Sequence, residues 1–137
     1  MYSIGQLSRA TGVKVTTIRY YEEMGLIAHD GRTAGNQRRY GQGGLNRLGF
    51  IRHARDLGLS LEAIRALVAL EDKGNGACGE SHAIAEAHLQ DVRDRIRRLK
   101  ALERELVRIK ASCKGNGSGP CSILTAFGDH DLCASGH

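Results

Sequence analysis

Three cysteines lie at positions where they could bind a metal ion. Cys113 and Cys121 flank a glycine-rich loop with seven residues between them, and Cys78 lies well upstream. A thiol pair at the ends of such a loop can form a disulfide or bind a soft metal ion, or the spacing can be a coincidence. The predicted helices and loops around these cysteines help to choose among a disulfide, a metal site and a coincidence.

The composition favours a protein of the reducing cytoplasm. No run of about 18 apolar residues is present, and the N-terminus lacks the basic and apolar regions of a signal peptide. We therefore expect a cytoplasmic location and no membrane partner, and in that compartment thiols bind metal more often than they form disulfides. The net charge of +5 favours a polyanionic partner. Because aromatic residues make up only 4% of the chain, we expect a second chain to complete the core.

The first part of the chain has the pattern of a helix-turn-helix. Ser3 and Gln6 form a capping box that starts a short helix, and Gly12 is suited to end it. A second helix is predicted over about residues 15–24. Two short helices joined by a tight turn are typical of a helix-turn-helix, although other small helical proteins also contain such pairs.

A β-hairpin and two further helices are predicted next. The hairpin would turn at Gly35-Asn36, with Arg32 on one arm and residues 38–40 on the other. A third helix is predicted over residues 45–57. Ser60 then caps a fourth helix, and Leu59 and Ile64 occupy the two positions of a hydrophobic staple.

After a break at residues 72–79, residues 81–111 are predicted to form one helix about 46 Å long. Its apolar residues recur mostly at steps of four and three, as in a coiled coil. They are Ala85, Leu89, Val92, Ile96, Leu99, Leu102, Leu106 and Ile109. A helix of this length needs a partner to bury that seam, so we expect a homodimer; packing against the helix's own domain is the alternative.

The helix-turn-helix and the hairpin carry side chains suited to DNA. Residues on the second helix can reach bases and phosphates in a major groove, and basic residues on the hairpin can contact phosphates. The candidates are Lys14, Thr16, Thr17, Arg19, Tyr20, Arg38, Arg39 and Tyr40. In the alternative interpretation the arginines form a solvated face and the tyrosines belong to the core. We expect at least one of Tyr20 and Tyr21 to be buried, since neighbours on a helix point about 100° apart.

Together these segments resemble the mercury-resistance-regulator (MerR) family of transcription factors. The resemblance rests on VTTIRYYEEMGLI (15–27), the hairpin ending in RRY, and LGLSLEAIRALV (57–68). It implies a mainly α fold, with a winged helix-turn-helix DNA-binding domain (1–71), a hinge (72–80), a long antiparallel coiled-coil dimerisation helix (81–112) and a C-terminal metal-binding loop, short helix and tail (113–137). It also implies a homodimer on double-stranded promoter DNA that distorts the DNA for RNA polymerase when an effector binds.

The resemblance further implies a metal site shared between two chains. In an antiparallel dimer, Cys78 of one chain would meet Cys113 and Cys121 of the other, and three thiolates suit soft ions. Copper(I)-type members are similar in loop length but carry Ser in place of Cys78, which favours a divalent ion here. Zinc-type members carry a Cys-Cys pair and a loop histidine, whereas Lys114 follows Cys113 and the loop has no histidine. We therefore expect Cd(II) or Pb(II), with Hg(II) or Zn(II) as alternatives.

Further thiols and imidazoles could add a fourth ligand or a second site. His82 and His88 lie on the long helix. The tail contains His130, Cys133 and His137, together with Asp129 and Asp131. His82 and His88 are six residues apart, so one helix face does not present both. The alternative is a solvated tail and surface histidines.

Two rival functions remain. A thiol-redox sensor would use a Cys113–Cys121 disulfide, and Cys78→Ser would then be silent. A metal-buffering protein would lack sequence-specific DNA binding. No enzyme is expected, because the sequence shows no nucleophile–base pair and no phosphate-binding loop.

Overall fold

The computed structural model describes residues 1–113 and 121–128. The elements in chain order are β1 (Tyr2–Ser3), α1 (Ile4–Thr11), α2 (Val15–Glu23), β2 (Gly31–Arg32), β3 (Arg38–Tyr40), α3 (Gln42–Asp56), α4 (Leu61–Lys73), α5 (Cys78–Ala111) and α6 (Ser122–Gly128). The chain divides into a compact unit of residues Met1–Ala85 and a second unit that begins at Glu86. The prediction of a mainly α fold with an N-terminal helix-turn-helix and wing is confirmed.

The helix-turn-helix forms as its capping residues predict. The Ser3 hydroxyl accepts from the Gln6 backbone N–H at 3.1 Å, and the Gln6 side chain accepts from the Ser3 N–H at 2.7 Å. Gly12 ends α1 with φ of 76°, a left-handed conformation that glycine adopts without strain. Leu7 of α1 and Ile18 of α2 are fully buried, so both helices are anchored in the same core.

The hairpin belongs to a three-stranded antiparallel sheet with the order β1-β3-β2. Arg32 pairs with Arg38 across the predicted turn, where Asn36 has φ of 66°. The first strand was not predicted, because two residues are too few to show an alternating pattern. Tyr2 of β1 pairs with Tyr40, which makes β3 the central strand.

The third helix begins at Gln42, three residues before the predicted start. Its first turn contains Gly43 and Gly44, which have low helix propensity. A Cβ at Gly44 would lie 3.4 Å from Tyr40 Cβ, so this glycine permits close packing of α3 on the sheet. The fourth helix follows its prediction: Ser60 caps the Ala63 N–H at 3.1 Å.

The predicted break at residues 72–79 is wrong at both ends. The fourth helix continues to Lys73 and α5 begins at Cys78, so Cys78 lies in the first turn of the long helix instead of before it. The chain breaks at Gly74 and Gly76, whose φ angles of 75° and 85° are left-handed. Gly79 belongs to the first turn of α5 and not to the break, and the Ser81 N–H bonds to the Ala77 carbonyl at 2.9 Å.

In the second unit, α5 carries an exposed apolar seam. Leu89, Ile96, Leu99 and Leu106 are between 42% and 63% exposed. Near the end of α5, Ile109 is buried, and Ala126 of α6 is buried as well. Among the described residues, no helix is long and apolar enough to cross a membrane.

Candidate DNA interface and candidate metal site

The second helix presents most of its predicted DNA-binding residues to solvent. Thr16, Arg19 and Tyr20 are exposed, at the i, i+3 and i+4 spacing that places side chains on one helix face. Lys14, at the N-cap, is exposed and Thr17 is half-buried. The neighbouring Tyr21 is buried, as expected for one of the two tyrosines.

The prediction that Tyr40 contacts DNA is wrong. Its side chain is fully buried, because it lies on the central strand and packs in the core of the first unit. The phenol donates to Glu22 Oε2 at 3.0 Å. Burial, and then the hydrogen bond to Glu22, raise the pKa of Tyr40 to about 12.

On the wing, Arg38 and Arg39 are half-buried and Arg32 is exposed. Arg38 Nε is a buried atom that lies 3.0 Å from Glu22 Oε2. Arg19, Arg32 and Arg38 line a cleft of about 390 Å³ between the second helix, the wing and the start of α1. The sequence analysis placed Arg32 on the hairpin but did not assign it to the DNA interface. Arg39 adjoins Arg38 on β3, and successive strand residues point to opposite faces.

Glu22, which the sequence analysis missed, connects the second helix to the wing. Its carboxylate pairs with His29 through Oε1, and with Arg38 and Tyr40 through Oε2. The pKa of Glu22 lies below its usual value. Burial by itself would raise this pKa, but the hydrogen bonds from His29 and Tyr40 and the charge of Arg38 have a larger, opposite effect. Its partners are 7, 16 and 18 residues away, and no local pattern signals contacts at those separations.

Cys113 and Cys121 meet at the end of α5. The backbone N–H of Cys113 bonds to the Lys110 carbonyl at 3.2 Å, in the last turn of that helix. Cys121 immediately precedes α6, and its carbonyl accepts from the Thr125 N–H at 3.1 Å. Backbone N–H groups of Leu124 and Ile123, and then the Cys113 thiol, donate to the Cys121 sulfur and lower the pKa of Cys121.

Two serines next to these cysteines join α5 to α6. The Ser122 hydroxyl donates to the Ser112 carbonyl at 2.8 Å, and the two hydroxyls lie 3.3 Å apart. The Ser112 hydroxyl also donates to the Ile109 carbonyl at 2.6 Å. This pair, here called the serine clasp, holds the residues adjacent to both thiols.

The other predicted metal ligands lie at the start of α5 and in the tail. Cys78 is exposed in the first turn of α5, and none of the three described cysteines forms a disulfide within residues 1–113 and 121–128. In that part of the chain, no three His, Cys, Asp or Glu side chains converge to hold a metal. His82 is exposed and His88 is half-buried on α5. The tail candidates His130, Cys133 and His137, with Asp129 and Asp131, lie outside the described residues.

A helix-turn-helix, an arginine-bearing wing and a long helix with an exposed apolar seam define the class of the molecule as a winged helix-turn-helix transcriptional regulator. Comparison with known families agrees. Residues 2–71 match the MerR HTH family regulatory proteins, and residues 45–109 match the family described as MerR, DNA binding. The chain belongs to the MerR family.

Its relatives include regulators named for several metals. It is 44% identical over 130 residues to the HTH-type transcriptional regulator ZntR of Escherichia coli (strain K12), covering 93% of this chain and 92% of ZntR. The structure of PbrR691 from Ralstonia metallidurans CH34 in complex with lead(II) is similar with a TM-score of 0.79 and 39% identity, covering 93% of this chain and 99% of that one. The MerR of Bacillus megaterium MB1 in complex with mercury(II) has a TM-score of 0.68 and 28% identity, covering 90% and 96%.

These comparisons confirm two predictions. The chain is a metal-responsive transcriptional regulator of the MerR family, and its relatives are regulators, not enzymes. The bound metals differ among the relatives, so their shared property is a response to thiophilic divalent ions.

Proposed function

We propose that this regulator acts as a homodimer on promoter DNA and activates metal-resistance or efflux genes when Cd(II) or Pb(II) binds. The ligands are Cys78 of one chain and Cys113 and Cys121 of the other. Binding of the ion at the ends of the two α5 helices moves the two DNA-binding units relative to each other. The resulting distortion of the promoter lets RNA polymerase engage both promoter elements.

One observation carries the metal proposal: hydrogen bonds between Ser112 and Ser122 hold the neighbouring residues Cys113 and Cys121 close to each other. Two thiols held close together can bind one ion with little rearrangement, and thiolates select soft metals. The lowered pKa of Cys121 favours the thiolate, which is the species that binds metal. The residues present therefore fit a soft ion.

The third thiol must come from another chain. Cys78 is the first residue of α5 and Cys113 lies two residues beyond its last, while a helix of 34 residues is about 51 Å long. A single chain cannot bring those sulfurs to one ion. In an antiparallel pair of α5 helices, the start of one helix lies beside the end of the other, and the exposed seam becomes buried.

Cys78 also supports a divalent ion. A third thiolate suits Cd(II), Pb(II) or Hg(II), whereas two thiolates suit linear Cu(I). The similarity to the PbrR691–lead(II) structure supports Pb(II), and the similarity to ZntR and to a mercury-bound MerR makes Zn(II) and Hg(II) the alternatives. Residues 1–71 would bind DNA, α5 would form the dimer, and residues 113–137 would hold the metal.

The experiment is a titration of the reduced protein with Cd(II), Pb(II), Hg(II), Zn(II) and Cu(I). Thiolate-to-metal absorption bands report sulfur ligation, and run-off transcription from the target promoter reports activation. We expect three-sulfur bands and activation with Cd(II) or Pb(II), and loss of both in Cys78→Ser. Ser81→Ala is the matched control, because it changes a side chain in the first turns of α5 and removes no thiol. Activation by Cu(I) alone would contradict the divalent site.

The redox alternative predicts a different outcome. A Cys113–Cys121 disulfide sensor would respond to oxidant without metal, and Cys78→Ser would leave that response unchanged. Deletion of residues 129–137 tests the tail separately. Unchanged metal stoichiometry and affinity after that deletion would exclude the tail histidines and Cys133 as ligands.

A further inference from the structure

We propose that Glu22 is a positioning residue that aims Arg38 at a DNA backbone phosphate bound in the cleft between Arg19, Arg32 and Arg38. The inference rests on the proposed DNA binding and extends it, because it assigns a role in binding polyanionic DNA to a residue of negative charge. It also adds Arg32 to the interface.

Glu22 is held more tightly than an ordinary surface carboxylate. Its side chain is only 14% exposed, and both carboxylate oxygens are used. Tyr40 is fully buried and donates to Oε2, so the phenol fixes the carboxylate from the core side. His29 pairs with Oε1, and its ring lies edge-on to the Tyr40 ring with the centroids 6.5 Å apart. The carboxylate therefore has a defined position relative to the wing.

That position determines where the Arg38 guanidinium lies. Its Nε faces Glu22 Oε2 at 3.0 Å, and the side chain remains 33% exposed. This contact is an ion pair and not a hydrogen bond, because the buried Nε has no hydrogen-bond partner among the described residues. A guanidinium has five N–H donors in a rigid fork, so the terminal nitrogens remain to bind an anion. Without Glu22, Arg38 would be free to rotate away from the neighbouring arginines, which repel it.

The cleft has the chemistry of a phosphate site. Three arginines line it, and the only carboxylate paired with any of them among the described residues is Glu22. Arg32 Nη1 donates to the Asn36 carbonyl at 3.1 Å, which orients this arginine within the wing. Arg19 comes from the second helix, so a phosphate bound here would bridge the two DNA-contacting elements. Arginine forks match phosphate oxygens in bidentate geometry.

The positioning role and simple electrostatics predict opposite signs. Replacing Glu22 with Gln raises the net charge by one, so long-range attraction alone predicts tighter DNA binding. If Glu22 aims Arg38, the same substitution releases one phosphate contact per DNA-binding unit and weakens binding. A random-sequence DNA duplex is a sufficient probe, because phosphate contacts do not depend on the base sequence.

The test measures duplex affinity of the full-length protein across a series of salt concentrations. For Glu22→Gln we expect affinity to fall roughly tenfold at 0.1 M salt. We also expect the slope of log affinity against log salt to become shallower by roughly 0.9 for each DNA-binding unit, the value for one lost phosphate contact. Glu23→Gln is the matched control, since it makes the same charge change at the neighbouring, exposed position of the second helix. Its affinity should not fall, and its slope should equal that of the unmodified protein.

A second variant covers the case in which Glu22→Gln does not fold. Arg38→Gln removes the guanidinium and its charge, so we expect the same shallower slope. In the double variant Glu22→Gln/Arg38→Gln, the losses should not add, because both act on one contact. Unchanged slopes or tighter binding in both single variants would overturn the positioning role while leaving DNA binding intact. Failure of the unmodified protein to bind duplex DNA would instead overturn the proposed function.

Discussion

The exposed seam of α5 makes Leu99→Ala a quantitative test of the proposed dimer. Leu99 is 63% exposed in the single chain. The substitution removes three carbons, each worth about 0.8 kcal/mol when fully buried, so about 1.5 kcal/mol is lost per chain after scaling by the exposed fraction. A twofold dimer contains two copies, which gives about 3 kcal/mol and roughly a hundredfold weaker dimer. Alanine has high helix propensity, so the helix itself should persist.

Val107→Ala is the matched control on the same helix. Val107 is 61% exposed, but it does not belong to the 4-3 seam. Sedimentation equilibrium over a range of concentrations should give a dimer constant that falls for Leu99→Ala and hardly changes for Val107→Ala. Equal constants for the two variants, or a monomer in the unmodified protein, would refute the reasoning that this seam buries itself against a second chain.

Three further predictions concern the clasp, the wing and the turn. Ser122→Ala should lower the affinity for Cd(II) severalfold and leave the stoichiometry unchanged, because the serine clasp orients the thiol pair. A competition titration with a chelator measures this affinity. Ser122→Thr keeps the hydroxyl and should have the affinity of the unmodified protein. The pKa of Tyr40 is raised to about 12, so its neutral form stabilises the fold fully below pH 10, and this contribution is lost as pH rises towards 12. Between pH 10 and pH 12, the midpoint of urea unfolding should therefore fall less steeply in Tyr40→Phe than in the unmodified protein. Gly12→Ala should lower the free energy of unfolding in urea by about 1–3 kcal/mol, since φ is 76° and the new Cβ would lie 2.6 Å from Arg52 Nη1. In the control Gly43→Ala, the new Cβ would meet no atom within 4 Å, so the free energy of unfolding should stay the same or rise.

The elements with strong local signals could be predicted from the sequence. The capping box at Ser3 and the Ser60 cap depend on residues three positions apart, and both form as expected. The glycines show the limit of such signals. Gly74 and Gly76 adopt left-handed conformations and end a helix, whereas Gly79 lies inside the first turn of α5, and the residue type alone does not distinguish them.

The wing could be predicted as a hairpin but not in its contacts. Tyr40 follows two arginines on a three-residue strand, so it has the sequence environment of a DNA-contacting residue. Its burial depends on pairing with Tyr2, 38 residues earlier, and on packing against Gly44. The Glu22 contacts arise in the same way, because three partners converge only after the second helix and the wing have packed.

Cys113 and Cys121 were predicted as two candidate ligands, and the hydrogen bonds between Ser112 and Ser122 hold these two residues close to each other. Contact with Cys78 could not be observed in one chain, since the length of α5 separates it from the pair. This is why the most informative experiment on the central claim uses two different chains in one dimer.

That experiment is metal binding by a mixed dimer of Cys78→Ser chains and Cys113→Ser/Cys121→Ser chains, with Cd(II) thiolate absorption as the readout. If the ligands come from both chains, the mixed dimer keeps one complete three-sulfur site, formed by Cys78 of one chain and the intact thiol pair of the other. Each parent homodimer would keep none. We predict one three-sulfur Cd(II) per mixed dimer and none in either parent. Absence of a three-sulfur band in the mixed dimer, or its presence in the Cys78→Ser homodimer, would contradict the shared site.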